Sequence, residues 1–215
     1  MKIAIFGGKG SGEDAAQSMV RIAAGGTPLA FAGYLNDELA PDTPLLGGRV
    51  LGRFEDWTTL QEDVWFVAPL HKAGQMQARV ARIEGLGVPK ERWATVLDPS
   101  TAVAQNATIG GGAVLGPFAV VGPGATLGMH TVVRAQAQVS HDVTLGDFVF
   151  VGGGSVVSGY CALHTGAYVG PGAVLRDRVT VGRFGVVGVG AVVLADVPDF
   201  AVVAGNPARP LPPAR

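Results

Sequence analysis

Cysteine is almost missing: Cys161 stands alone among 215 residues. Neither an intramolecular disulfide nor a multi-thiolate zinc site can form within one chain, and a reducing compartment, the cytoplasm, is the expected setting. Long hydrophobic runs are missing too. Glycine interrupts every apolar stretch well short of the roughly 20 residues a membrane-spanning helix needs, and the opening MKIAIFGGKG is too short an apolar segment for a secretory signal. There is no charge excess: 16 basic and 17 acidic side chains leave a formal charge of −1, which draws the chain to neither nucleic acid nor an anionic membrane. No nucleic-acid partner and no membrane insertion are expected. Lysine is absent from residues 97–215, which hold 12 of the 33 charged side chains. Two domains built by different rules are the simplest reading, over residues 1–92 and 93–215, in a chain long enough to bury its core without a covalent staple.

Glycine is what the sequence has in excess: 33 of 215 residues, about 15%, against an average near 7%. It is periodic. Stepping by six from Leu97 to Val193 meets Leu, Ile or Val at all 17 positions, and Gly follows the anchor in nine of the 17, as in Gly110, Gly116, Gly122 and Gly128. Four residues after the anchor the side chain is small or β-branched, as in Ala113, Ala125, Ser155, Cys161 and Ala173. An α-helix would rotate such a stripe by about 120° per repeat, so no helical bundle can use it. A short strand followed by a turn can, with glycine supplying unusual backbone angles or close approach. Stacked units of this kind make a solenoid. The L-G-x-x-A-V pattern resembles the left-handed parallel β-helix of the hexapeptide-repeat acyltransferases, in which three hexads close one triangular coil. On that resemblance the run makes between five and six coils, a prism roughly 25 Å long at about 4.8 Å per coil.

In the first half, Lys2–Phe6 reads as a buried strand entering Gly7-Gly8-Lys9-Gly10-Ser11-Gly12, with a helix-compatible segment over 13–24, further strands over 28–35 and 64–68, and a helical segment over 71–84. Strand, glycine-rich turn, helix and strand is the order of a small Rossmann-like α/β unit. Glycines there let backbone N–H groups approach a phosphate, and equally make a tight turn. Asp37 follows the second strand, where an acidic residue can bond a ribose or base, cap a helix or complete a turn.

Four histidines are available for chemistry. His141 is third in the hexad Val139-Ser140-His141-Asp142, outside the interior positions, so it points outward, as a surface residue or as a base oriented by Asp142. A turn is needed to bring the two adjacent side chains together. His130 and His164 also avoid the interior and read as surface or subunit-interface residues, and His71 as the polar start of a helix. Cys161 holds a small inward position and is expected to be buried and unreactive. The histidine spacing gives no expectation of a metal site.

The glycine-rich start, the turn Leu35-Asn36-Asp37, the hexad containing His141 and Asp142, and the closing Val203-Ala204-Gly205-Asn206-Pro207-Ala208-Arg209 together resemble the sialic-acid O-acetyltransferase and bacillosamine N-acetyltransferase family over almost the whole chain. The resemblance implies a homotrimeric, acetyl-CoA-dependent N-acetyltransferase acting on a nucleotide-linked amino sugar. In it His141 is the general base, assisted by Asp142. Lys9, Gly10, Ser11, Asn36 and Asp37 contact the nucleotide sugar, and Phe150, Pro171 and Val189 contact acetyl-CoA. Transfer is direct, without an enzyme nucleophile.

This chain departs from the family at several acceptor-side positions. Gly10-Ser11-Gly12 stands where Gly-His-Gly is usual, Asn36 replaces an aspartate, and Pro69-Leu70-His71 replaces Ile-Gly-Asp/Asn. Phe150 lies where some members carry a second histidine, and Arg134 replaces a frequent asparagine. O-acetylation of a sugar or small hydroxyl compound, and a non-catalytic trimeric scaffold, are the alternatives.

Overall fold

A computed structural model describes residues 1–212; the last three residues of the expected second domain lie outside them. The N-terminal part is a five-stranded sheet in the order β3-β4-β2-β1-β5. β1 (Lys2–Phe6) is parallel to β2 (Ala30–Leu35) and β5 (Val64–Val67), and β4 (Gly48–Gly52) is parallel to β2. β3 (Pro44–Leu45) forms an antiparallel hairpin with β4 that the sequence pattern did not reveal. Ile3 to Phe6 are fully buried, as a central strand requires.

The glycine-rich turn carries β1 directly into α1 (Ser11–Ala24), whose Ala15, Ala16 and Met19 pack on the sheet. The second helix, α2 (Met76–Glu84), starts five residues later than expected. Gly74 adopts φ 71°, a left-handed conformation that no helix propagates, so His71 lies in the β5–α2 connection and starts no helix.

From Val96 onward the chain is a left-handed β-helix. Each of the 17 aliphatic anchors is the second residue of a two-residue strand, from Val96–Leu97 to Val192–Val193. Strands pair in parallel with those 18 residues away, as in Val120↔Gln138 and Phe150↔Tyr168. Three faces result. Face one holds the strands starting at 96, 114, 132, 150, 168 and 186, face two those at 102, 120, 138, 156, 174 and 192, and face three those at 108, 126, 144, 162 and 180.

The glycines after the anchors are the points of closest approach between coils. A Cβ on Gly152 would stand 2.5 Å from the Pro171 nitrogen, and one on Gly122 2.8 Å from that of His141. The left-handed backbone angles fall two residues further on, at Gly112, Phe118, Gly124, His130, Gln136, Asp142 and onward through Gly190. The two roles of glycine thus sit at different places in the hexad.

The α/β part covers face one. The outward side chains of Val114, Val132 and Phe150 share a core with Ile3, Met19 and Tyr34. Asp98 fixes α1 to the first coil: its fully buried carboxylate accepts hydrogen bonds from Ser18 (3.1 Å) and Ser100 (2.6 Å) and pairs with Arg21 at 3.4 Å. Burial opposes its charge, yet those hydrogen bonds hold its carboxyl below the usual range.

Gly152→Ala is expected to destabilise the protein by about 1–3 kcal/mol in chemical denaturation, as an overpacked core does. Gly154→Asn, at a left-handed corner with open space around it, is expected to cost about 1 kcal/mol or less, because asparagine tolerates that conformation.

Candidate active site

Three places gather the residues picked out above. The first is a cavity of about 440 Å³ where the β1–α1 turn meets the end of β2, lined by Gly8, Lys9, Asn36, Asp37, Arg79 and Arg82. Asn36 is committed to the loop: its Oδ1 accepts the N–H groups of Glu38 and Leu39 at 2.8 Å, and its Nδ2 donates to the Gly7 carbonyl at 3.0 Å. Asp37 accepts from the Phe54 N–H at 3.0 Å and from Arg82 at 2.7 Å. Its burial raises the pKa, but Arg82 and the Phe54 N–H outweigh it and hold the carboxyl low. Arg82 also pairs with Glu55 at 2.7 Å and lies over the Phe54 ring. Lys9 and Arg79 form no ion pair among the described residues, and they share the cavity lining with the equally unpaired Glu38. The glycine-rich turn gave no signal for Arg79 and Arg82, although their i, i+3 spacing puts them on one face of a helical segment.

Ser11 faces elsewhere. It lines a second, smaller cavity of about 150 Å³ between α1 and the solenoid, with Asp14, Pro69, Pro117, Arg134 and Ala135. Gly10 lines neither cavity; it takes φ 77° at the start of α1 and has open space where a Cβ would be.

The third place is the edge between faces two and three, opposite face one. Here Asp142 adopts φ 57°, and this left-handed corner turns its carboxylate back to the preceding residue: His141 Nδ1 lies 3.0 Å from Asp142 Oδ2. About half of each side chain is exposed, 52% and 49%. The imidazole lies on Gly159, whose missing Cβ would be 2.6 Å from the ring, and Tyr160 meets it edge-on at 5.1 Å. Nδ1–H donation to the carboxylate fixes the tautomer and leaves Nε2 as an acceptor.

Pro171 and Val189 are exposed on the edge between faces one and two, Val189 by 76%. Phe150 is buried in the seam beneath the α/β part, stacked on Tyr168 with centroids 4.4 Å apart.

No family model matches the chain, and no curated protein does. Solved structures do. The acetyltransferase domain of PglB from Neisseria gonorrhoeae, in complex with acetyl coenzyme A, is 28% identical with a TM-score of 0.82 over 98% of each chain. WeeI from Acinetobacter baumannii is 26% identical with a TM-score of 0.76, over 98% of this chain and 100% of that one. A histidine-to-alanine mutant of the GDP-perosamine N-acetyltransferase of Caulobacter crescentus, in complex with CoA and GDP-perosamine, shares the fold at 21% identity and TM-score 0.84, over 99% of this chain and 97% of that one. The chain is an acyltransferase of the left-handed β-helix class.

Two other histidines of this acyltransferase, His130 in the repeat and His71 in the α/β part, are packed into the seam between the two parts. His130 is only 4% exposed, stacked on Phe148 at 4.5 Å and against the edge of Trp93 at 4.4 Å. The hexad shows that a corner residue is outside the solenoid core, but not that the α/β part will cover that corner. His71 packs at 5.7 Å from Phe150. Both of its ring nitrogens and Nδ1 of His130 are sealed from solvent without a hydrogen-bond partner. Burial pushes His71 down to about 3 and His130 to about 4. His164 is exposed, and Cys161 is buried with its thiol pKa raised by burial.

Unfolded histidine titrates near 6.5, so below that pH the unfolded chain takes up protons that the native seam refuses, and stability is lost as pH falls toward the native values. Each histidine is expected to cost about 2 kcal/mol by about pH 5. His130→Phe, which keeps the ring stack, should remove its share of that loss, read as a smaller drop in denaturation midpoint between neutral pH and about pH 5.

Proposed function

We propose that this acyltransferase moves the acetyl group of acetyl-CoA to the amine of a nucleotide-linked amino sugar, with His141 as general base. The observation that carries this reading is the His141–Asp142 pair at an exposed corner of the solenoid. The carboxylate holds the imidazole with Nε2 free and stabilises the imidazolium that proton uptake creates. The bound acetyl coenzyme A of the PglB domain supports the donor, and the GDP-perosamine of the Caulobacter enzyme fits the acceptor class.

The amine nitrogen attacks the thioester carbon while Nε2 takes its proton, and hydrogen-bond donors stabilise the tetrahedral oxyanion. Collapse then breaks the carbon–sulfur bond, and CoA leaves as a thiolate that takes a proton back or a thiol. No enzyme nucleophile is required, in keeping with the burial of Cys161. Residues 1–92 hold the nucleotide in the Lys9–Arg79 cavity, with Asp37 setting the position of Arg82. The exposed edge at Pro171 and Val189 carries acetyl-CoA, with Phe150 supporting the adjoining face from beneath.

In one chain the base lies on the edge opposite the face that bears the N-terminal part, so a complete site needs a second copy. Face two offers the surface for it: its outward residues are Ala102, Val120, Gln138, Val156, Val174 and Val192, with Val120 41% and Val174 39% exposed. A homotrimer joined along face two puts the His141 edge of one copy beside the cavities of the next.

His141→Ala is expected to reduce free-thiol release from acetyl-CoA, with a nucleotide-linked amino sugar as acceptor, by about 10²–10⁴-fold at unchanged thermal stability. Turnover equal to wild type would remove His141 as the base. Val174→Glu places a charge on the apolar stripe and is expected to give monomers in sedimentation together with loss of turnover. Full activity from a monomer would overturn the shared site.

A further inference from the structure

The smaller cavity gathers Ser11, Asp14 and Arg134 beside an apolar wall. We infer that Arg134 binds an oxyanion carried at the sugar end of the acceptor, a reading that rests on the proposed sugar acetyl transfer. The cavity lies at the foot of the edge that bears Pro171 and Val189. Backbone hydrogen bonds climb that edge one coil at a time, from Gln136 N–H to the Pro117 carbonyl (2.9 Å), Gly154 to Ala135 (3.1 Å), Gly172 to Gly153 (2.9 Å) and Gly190 to Pro171 (2.9 Å). Pro117 and Ala135 therefore continue the donor's column into the cavity.

The cavity also adjoins the nucleotide side. The turn after β1 lines the larger cavity with Gly8 and Lys9 and the smaller one with Ser11, while Leu70 faces the larger and Pro69 the smaller. An acceptor with its nucleotide in the first cavity crosses Gly10 and Ser11 to bring its sugar into the second.

The walls there are mainly apolar, from Ala15, Val114, Val132, Pro69 and Pro117, and Arg134 is the one cation lining them. Its Nη2 donates to Asp14. The other four of its five N–H donors make no hydrogen bond among the described residues, in a side chain only 30% exposed. The planar fork of the guanidinium matches an oxyanion in bidentate fashion. Asp14 is 57% exposed and holds the guanidinium by one end only. The pair is a clasp that leaves the fork free. The ligand chemistry is an acidic oxygen pair, supplied by a carboxylate on the sugar ring or by the phosphate joined to it.

The test compares wild type, Arg134→Ala, Arg134→Lys and Asp14→Asn with UDP- and GDP-linked amino sugars that differ only in a methyl, hydroxymethyl or carboxyl group on the ring. Arg134→Ala should raise the acceptor KM by about 10-fold or more, the loss of a charge-assisted hydrogen bond, with the KM for acetyl-CoA unchanged and partial recovery in Arg134→Lys. Asp14→Asn should lower the acceptor KM, because it releases the guanidinium. An effect of Arg134→Ala confined to the carboxyl sugar identifies the ring carboxylate, and an equal effect on all three identifies the phosphate; both support the inference. If Arg134 only clamps α1 to the solenoid, Arg134→Ala and Asp14→Asn will shift melting temperature and acceptor KM in the same direction, and the inference falls. Wild-type turnover with an unaltered acceptor KM in Arg134→Ala sinks this inference alone. A wild type inactive on every sugar sinks the acetyl-transfer reading and takes this one with it.

Discussion

Everything in this protein depends on how closely one coil of backbone can lie on the next. Parallel strands held by hydrogen bonds stand about 4.8 Å apart, and here each strand has only two residues before the chain must turn. The turn is made at constant pitch because every hexad from Ile109 to Val187 places a left-handed residue three positions after its anchor. Glycine one position after many anchors admits the backbone of the coil above. A side chain at that point would collide with main chain, which cannot move without breaking the ladder.

The same constraint creates the chemistry. A left-handed corner throws its side chain outward and back, and at Asp142 this brings a carboxylate onto the imidazole beside it. Since the corners recur every 18 residues, outward side chains form columns, so Gly159 leaves room above His141 and Pro117, Ala135, Gly153, Pro171 and Val189 rise along one edge. The apolar interior gives stiffness, and the edges carry polar groups at fixed spacing.

The seam with the α/β part works by different rules. There the first coil is joined to α1 by the Asp98 network, and the outer surface of face one is buried under β1, α1 and the β5–α2 connection. Aromatic packing seals His130, which the repeat pattern leaves outside the solenoid, together with His71 from the β5–α2 connection. Depressed titration of both is the electrostatic record of that burial.

The six-residue period, the aliphatic anchors, the central strand Lys2–Phe6 and the outward placement of His141 were determined by the sequence itself, because each follows from local backbone sterics or from which side of a strand a residue occupies. Arg82 beside Asp37, the burial of His130, the late start of α2 and the division of Lys9 and Ser11 between two cavities were decided only by tertiary structure. Each depends on which distant surface closes over a residue, as when Trp93 covers a corner formed 37 residues further along the chain. The hexad states where a side chain leaves the solenoid, and the partner it meets there is set by the fold of the other half.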